Sequence, residues 1–215
     1  MCRRFFLSIF VGLIVSFSAL AQGNKIEPIG AIADPGASEA LKKSIDAKGW
    51  RLTIGDGPYC DIWLRSGVAV GKSDAQGAVY NLGESALVGV ITFSRATTDY
   101  RGQSVKPGTY TLRYAVHPAD GNHLGISPIR DFLVLVPVAM DQNPEAQPKF
   151  EELMKMSPKS TGTNHSGVIS LVQTEGATPA KIQQEGSHVI FVAKIKSQTG
   201  SEIPIAFIVK GIAEQ

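Results

Sequence analysis

The chain contains few cysteines and carries little net charge. Its 215 residues include two Cys, and 21 basic against 19 acidic side chains give a formal net charge of +2. Two cysteines are too few for a miniprotein held together by disulfides. So small a positive charge excludes a strongly basic nucleic-acid-binding protein. With 43% apolar residues, the chain is also too hydrophobic to be intrinsically disordered.

The motifs of the common enzyme and cofactor sites are also missing. No Gly-x-Ser-x-Gly nucleophile elbow is present. Gly55-Asp56-Gly57 precedes Pro58 and a strand pattern, whereas a phosphate site requires a helix N-terminus. Cys60 has no neighbouring His, which a cupredoxin copper site would need. The sequence therefore names no catalytic or cofactor-binding residue and leaves open whether the protein is an enzyme.

Residues 1–21 have the pattern of a secretory signal peptide. Arg3 and Arg4 precede an apolar run from Phe5 to Phe17, and a small-x-small site ends at Ala21. We expect cleavage there and export to the periplasm or the extracellular space. The apolar run is shorter than the roughly 20 residues of a membrane span, so we expect no stable span after cleavage. The paired arginines also partly fit the twin-arginine signal, which leaves the export route open.

Cleavage would leave residues 22–215, which we interpret as a single β-sandwich domain. It would hold 19 basic and 19 acidic side chains, and Cys60 would be its only thiol. Ile62 and Trp63 close by favour a buried, unreactive Cys60.

Apolar and β-branched runs bounded by turn residues predict a mainly β protein. Such runs are typical of a two-sheet antiparallel β-sandwich, here with eight to ten strands. Phe132–Val136 is apolar on both faces and is predicted to be a central strand. The predicted strands are 26–32, 50–54, 60–64, 78–82, 87–93, 110–116, 132–138, 168–172, 189–195 and 203–210.

One or two short peripheral helices complete the predicted fold. Residues 35–48 have Asp34 as the expected N-cap and Gly49 as the stop, and Leu41 and Ile45 share one face. A second helix is predicted over 150–156, followed by a polar loop over 157–167.

The most recognisable segment is Pro107-Gly108-Thr109-Tyr110-Thr111-Leu112. It resembles the Pro-Gly-x-Tyr-x-Leu turn and strand of exported bacterial immunoglobulin-like and transthyretin-like sandwich domains, including an uncharacterised exported family. The resemblance spans roughly residues 60–115 and implies a sandwich fold and export, but no catalytic residues.

The best candidate site for a divalent metal is the segment that follows the strand ending at Val116. His117, Asp120 and His123 lie on one Gly-containing loop, and imidazole and carboxylate groups are ligands of zinc and copper. His165 would add a ligand if its loop met this one. The alternative is a surface turn with solvated rings.

Aromatic side chains beside predicted turns raise a second alternative, a carbohydrate-binding or adhesion surface. The rings are those of Trp50, Tyr59, Tyr80 and Tyr100. Exposed rings would stack on sugars, whereas buried rings would fill the open ends of the sandwich.

The main expectation is an exported, non-enzymatic binding or structural module. Its partner would be a protein, peptide or carbohydrate, bound by loops at the strand ends, and not a nucleic acid.

Overall fold

Thirteen strands dominate the residues that the computed structural model describes, which are 23–71, 77–118 and 127–213. The strands are β1 (Lys25–Ile29), β2 (Gly49–Thr53), β3 (Pro58–Leu64), β4 (Ser66–Val68), β5 (Leu87–Phe93), β6 (Thr97–Thr98), β7 (Ser104–Val105), β8 (Gly108–Val116), β9 (Asp131–Pro137), β10 (Val168–Ser170), β11 (Lys181–Glu185), β12 (His188–Ser197) and β13 (Glu202–Lys210). The α-helices are α1 (Glu39–Ser44), α2 (Phe150–Met156) and α3 (Pro158–Thr161), and a 3-10 turn covers Val138–Met140. Among the described residues, no helix is long and apolar enough to cross a membrane.

The strands form two main sheets. The large sheet is antiparallel and has seven strands in the order β1-β2-β3-β5-β8-β9-β10. The small sheet has four strands: β12 lies between β11 and β13, and β4 pairs with β12 in parallel. Strands β6 and β7 form a separate two-stranded ribbon.

The main core lies between the two sheets. Leu112 and Tyr114 point into it from β8, and Phe191 and Phe207 point into it from β12 and β13. Alternate residues of a strand point to opposite faces, so Thr111 and Arg113 lie on the other face of the large sheet. The mainly β, sandwich-like fold predicted from the strand patterns is confirmed.

Helices and loops cover much of the outer face of the large sheet. Leu41 and Ile45 pack with Trp63 and Val90 on one part of this face. Another part is covered by α2, where Leu153 packs with three β9 side chains: Phe132, Val134 and Val136. Strand β9 is therefore buried on both faces, as its apolar run predicts.

A buried ion pair fastens the chain after β9 to the same face. Arg113 donates from Nε and Nη2 to the two Asp141 carboxylate oxygens, each at 2.7 Å. Its other N–H groups donate to three main-chain carbonyls, those of Ser85, Asn143 and Ala146. All five guanidinium donors are thus satisfied, which is the condition for burying this charge.

The first helix is shorter than predicted and has a different N-cap. It spans Glu39–Ser44 and is capped by Ser38, whose Oγ accepts from Leu41 N–H at 3.0 Å. Asp34 does not cap it, because its carboxylate accepts from Gly36 N–H and from Thr109. The chain leaves the helix when Asp46 N–H bonds to the Leu64 carbonyl.

The predicted strand over 78–82 is wrong. The N–H groups of Val79 and Tyr80 donate to the Asp131 carboxylate, each at 2.9 Å, and so do not enter a strand ladder. Only Leu82 makes a β-bridge there, with Val70. Conversely, four strands outside the predicted runs are present: β4, β6, β7 and β11.

Candidate functional site

A line of polar side chains crosses the outer face of the large sheet. Arg51 of β2 is paired in register with Asp61 of β3, Asp61 with Thr92 of β5, and Thr92 with Thr109 of β8. Residues paired across antiparallel strands project from the same face, so these four side chains form a single file. Asp34 continues the line beyond Thr109. We call these five residues the polar row.

An ion pair forms one end of the polar row. Arg51 donates from Nε and Nη2 to the two carboxylate oxygens of Asp61, at 2.8 and 2.7 Å. This hydrogen bonding and the Asp61 charge raise the pKa of the Arg51 guanidinium. The Asp61 side chain is 17% exposed and that of Arg51 is 44% exposed, so solvent reaches this end.

The other end is a chain of hydroxyl groups. Thr109 Oγ1 donates to one Asp34 carboxylate oxygen, and the other accepts from Gly36 N–H at 2.6 Å. The oxygens of Thr92 and Thr109 are 2.9 Å apart. A hydroxyl has a single proton, and that of Thr109 is used on Asp34, so Thr92 must be the donor in its bond with Thr109.

A cleft of about 310 Å³ lies above the polar row. Its wall is the 29–34 segment, which runs from β1 toward α1. Trp63 fixes this wall, because its indole N–H donates to the Gly30 carbonyl at 2.9 Å. Ile32 packs in the same cluster as Trp63 and holds the far end of the wall. The cleft therefore has a polar floor and a fixed side.

Two further clefts lie elsewhere on the described part of the protein. One, of about 290 Å³, lies between the 172–176 segment and the outer face of the small sheet, and its lining combines the apolar Ile190, Val192 and Ala206 with charged side chains that include Glu175, Lys181 and Glu185. The other, of about 550 Å³, is an open hollow beside Arg65. The Arg65 guanidinium is already bonded to the Pro144 carbonyl and to Glu145.

The predicted metal ligands lie only partly within the described residues. His117 follows β8 and is buried, with its ring stacked on Phe132 at a centroid distance of 4.0 Å. Asp120 and His123 lie outside the described residues. Over 23–71, 77–118 and 127–213, no group of three His, Cys, Asp or Glu side chains is placed to hold a metal ion. The three-residue site remains a prediction.

His165 is far from His117. His117 N–H bonds to the Arg130 carbonyl at the start of β9, whereas Leu135 N–H bonds to the Gly167 carbonyl near its end. The five residue steps from Arg130 to Leu135 span roughly 17 Å of extended chain. The His117 and His165 segments are therefore at opposite ends of β9, and the two rings do not converge on one ion.

The 157–167 segment is a loop only in its second half. Pro158–Thr161 form α3, whose Ser160 and Thr161 are buried, and residues 162–165, which include His165, are exposed in the loop that follows. Gln103 ties it to the β6–β7 ribbon by donating to the Ser166 carbonyl at 2.8 Å. The segment thus serves to pack the sheet at this end.

The four candidate aromatic rings do not form an exposed patch. Tyr59 and Tyr80 are buried. Trp50 and Tyr100 are half-buried, each beside another ring: Phe191 at 5.7 Å and His188 at 5.3 Å. Stacking of a sugar on these four rings therefore has no structural basis. The prediction of a buried Cys60 is confirmed, and burial raises the pKa of its thiol well above the ordinary value.

Reasoning from the sequence missed the polar row. Only Asp34 was singled out, and as a helix cap. The available signal was a polar residue facing away from the core on each of β2, β3, β5 and β8. Which of these residues line up depends on strand register, which hydrophobic alternation in one sequence does not fix.

Comparison of the chain with protein-family models found no match, and comparisons with curated proteins and with solved structures also found none. The likeness to exported sandwich domains around Pro107-Gly108 therefore remains an expectation. The site has to be interpreted from its own geometry.

Proposed function

We propose that the protein is an exported binding module that holds a small polar ligand in the cleft above the polar row. One observation carries this proposal: adjacent strands present charged and hydroxyl groups, in register, on the floor of a cleft with a fixed wall. A preformed concave site with a few convergent polar groups is the usual form of a small-molecule site.

The surroundings of the cleft support this interpretation. Next to the row, the outer face of the large sheet carries apolar clusters that are covered by α1 near Trp63 and by α2 near Phe132. The polar row lies beside this apolar cover. Thr92 and Asp61 also have lone pairs that no donor among the described residues uses, and these are available to a ligand. An unfilled acceptor in a half-buried site costs free energy.

Binding is tested by titrating the isotope-labelled protein with a library of small polar compounds and following the backbone amide resonances. We expect a subset of compounds to shift the amides of β3, β5 and the 29–34 wall. Thr92→Val removes one hydrogen-bonding group and should weaken binding about three- to tenfold. Thr98→Val makes the same change at an exposed position on β6 and should leave affinity unchanged. If no compound shifts the cleft amides, the proposal is wrong.

Export is the second part of the proposal and rests on residues 1–21, which lie outside the described residues. The test is expression of the full chain followed by N-terminal sequencing of the protein in each cell fraction. We expect a periplasmic or extracellular protein that begins at Gln22. An intact chain retained in the cytoplasm would contradict this part and leave the binding site untouched.

A further inference from the structure

The positions of the hydroxyl protons in the polar row determine which hydrogen-bonding groups its side chains present to a ligand. Thr92 donates to Thr109, and Thr109 donates to Asp34, so both hydroxyl protons are used within the row. At the centre of the cleft, the side chains of the row therefore present hydrogen-bond acceptors to a ligand. They are the remaining lone pairs of Thr92 Oγ1 and of the Asp34 and Asp61 carboxylates.

The formal charge of the polar row also favours a ligand that donates hydrogen bonds and carries positive charge. Asp34 and Asp61 are two negative groups, and Arg51 is the positive group of the row, which leaves a formal charge of −1. Arg51 already uses two N–H groups on Asp61, and it lies at the exposed end. Its three other N–H groups lie at that end, and the other side chains of the row carry no positive charge.

We propose that the ligand of this cleft carries a primary ammonium group. This inference rests on the proposed binding function and names the chemical class of the ligand. An ammonium group brings three N–H donors and one positive charge, matching the acceptor oxygens of Thr92, Asp34 and Asp61 and the excess negative charge of the row. Its bonds to carboxylates are charge-assisted and stronger than those of a neutral hydroxyl. A cleft of about 310 Å³ has room for a small amine.

The test compares putrescine with 1,4-butanediol, which has the same carbon chain and hydroxyl groups in place of the ammonium groups. Each is titrated into the labelled protein obtained by expression of the full chain. We expect putrescine to shift the cleft amides with an affinity at least about tenfold higher than that of butanediol, because each charge-assisted bond is roughly twice as strong as a neutral one. Added salt should weaken putrescine binding, since the site is open to solvent.

Asp34→Asn and Asp61→Asn remove the two negative charges one at a time, and each should weaken putrescine binding by about tenfold or more. Asp56→Asn is the matched control, because Asp56 is exposed on a turn away from the cleft. It should leave the affinity unchanged. The amide spectrum of each variant shows directly whether it is folded, and two separate carboxylates keep the test valid if one variant unfolds.

The outcomes separate this inference from the proposed function. Equal binding of putrescine and butanediol in the cleft overturns the amine inference and leaves the binding function standing. If neutral or anionic compounds bind in the cleft and putrescine does not, the amine inference is likewise overturned and the binding function stands. Putrescine binding that survives both Asp variants also overturns it. If no compound binds the cleft, the proposed function fails and the inference fails with it.

Discussion

At the scale of single residues, the fully buried charged groups Arg113 and Asp131 are stable because each is held by several hydrogen bonds; among the buried side-chain N and O atoms of the described residues, Ser127 Oγ alone lacks a partner. Arg113 is fully buried, yet all five of its N–H groups donate to Asp141 or to main-chain carbonyls. Asp131 is also fully buried and accepts from the Val79 and Tyr80 amides and from the Tyr114 hydroxyl at 2.6 Å. Removing one partner of such a group leaves the other unsatisfied.

Arg113→Met is therefore expected to lower the free energy of unfolding by about 3–5 kcal/mol, because Asp141 is left as an unpaired buried charge. Urea unfolding at neutral pH measures this loss. The double variant Arg113→Met/Asp141→Leu removes both charges and should be more stable than the single variant. A double variant that is less stable than Arg113→Met would contradict this account of the pair.

Tyr80 gives the stability of the protein a dependence on alkaline pH. Burial, partly offset by the hydrogen bond from Ala206 N–H, raises the pKa of Tyr80 to about 12. Unfolding exposes the phenol, whose pKa then returns to about 10. Between these values the unfolded chain loses a proton that the folded protein keeps, so the free energy of unfolding falls as pH rises from about 10 to 12. The full loss from this group is on the order of 2–3 kcal/mol.

We expect Tyr80→Phe to show a shallower decline over this range in urea unfolding curves measured from pH 8 to 11. At pH 8 the variant should be less stable by about 1–3 kcal/mol, since the Val172 carbonyl and Ala206 N–H lose their partner. Tyr110 is a useful comparison, because burial also raises its pKa. Tyr110→Phe should leave the contribution of Tyr80 in place. An unchanged pH slope in Tyr80→Phe would refute the assignment.

At the scale of elements, close approach of two strands explains a glycine in β5. A Cβ at Gly89 would lie 2.3 Å from the Trp63 carbonyl oxygen and 3.2 Å from Leu64 Cα, both main-chain atoms of β3. The pairing of β5 with β8 also shifts register between Leu87 and Gly89, so the ladder is irregular at the same position. A side chain there would force the two strands apart.

Gly89→Ala should destabilise the protein by about 1–3 kcal/mol, the usual cost of overpacking. Gly57→Ala is the control, because nothing lies within 4 Å of the added Cβ and its φ is not positive. The control should change stability by less than about 0.5 kcal/mol. Thermal and urea unfolding measure the stabilities of the two variants, and equal stabilities would contradict the steric explanation.

Ser38→Ala tests the start of α1. Ser38 Oγ accepts from Leu41 N–H and donates to the Gln142 carbonyl at 2.6 Å. Loss of the cap should cost about 0.5–2 kcal/mol of unfolding free energy. Glu39→Ala next to it removes an exposed ion pair with Lys42 and should cost less than about 1 kcal/mol. A larger loss in Glu39→Ala than in Ser38→Ala would argue against this cap.

The elements that could be predicted from the sequence are those whose own residues determine them. Strand β5 has the predicted bounds, 87–93, because its run is apolar and β-branched from end to end. Strand β11 is polar and exposed, and only its pairing with β12 makes it a strand. The polar row and the Arg113–Asp141 pair join residues far apart in the chain, so they depend on register and on the path of loops, which local patterns do not contain.

At the scale of the whole molecule, Cys60 reports on the integrity of the sandwich. It lies in the main core and is 1% exposed, and burial keeps its thiol protonated. In a Cys2→Ser variant of the full chain, a thiol reagent should therefore label Cys60 at least about a thousandfold more slowly than in the denatured chain. Labelling followed by mass spectrometry measures both rates. Rapid labelling without denaturant would show that the core opens locally around β3.

The strand order of the large sheet has a consequence for how the chain folds as it emerges N-terminus first during synthesis. Its seven strands follow one another across the sheet in the order in which they occur in the chain. Each strand can therefore pair with one that has already emerged, and no strand has to insert between two earlier ones. Such nearest-neighbour pairing keeps chain closures short, which speeds folding. A chain that emerges N-terminus first during synthesis would meet its pairing partners in the order required, and the small sheet, made chiefly of β11, β12 and β13, would close over the core last.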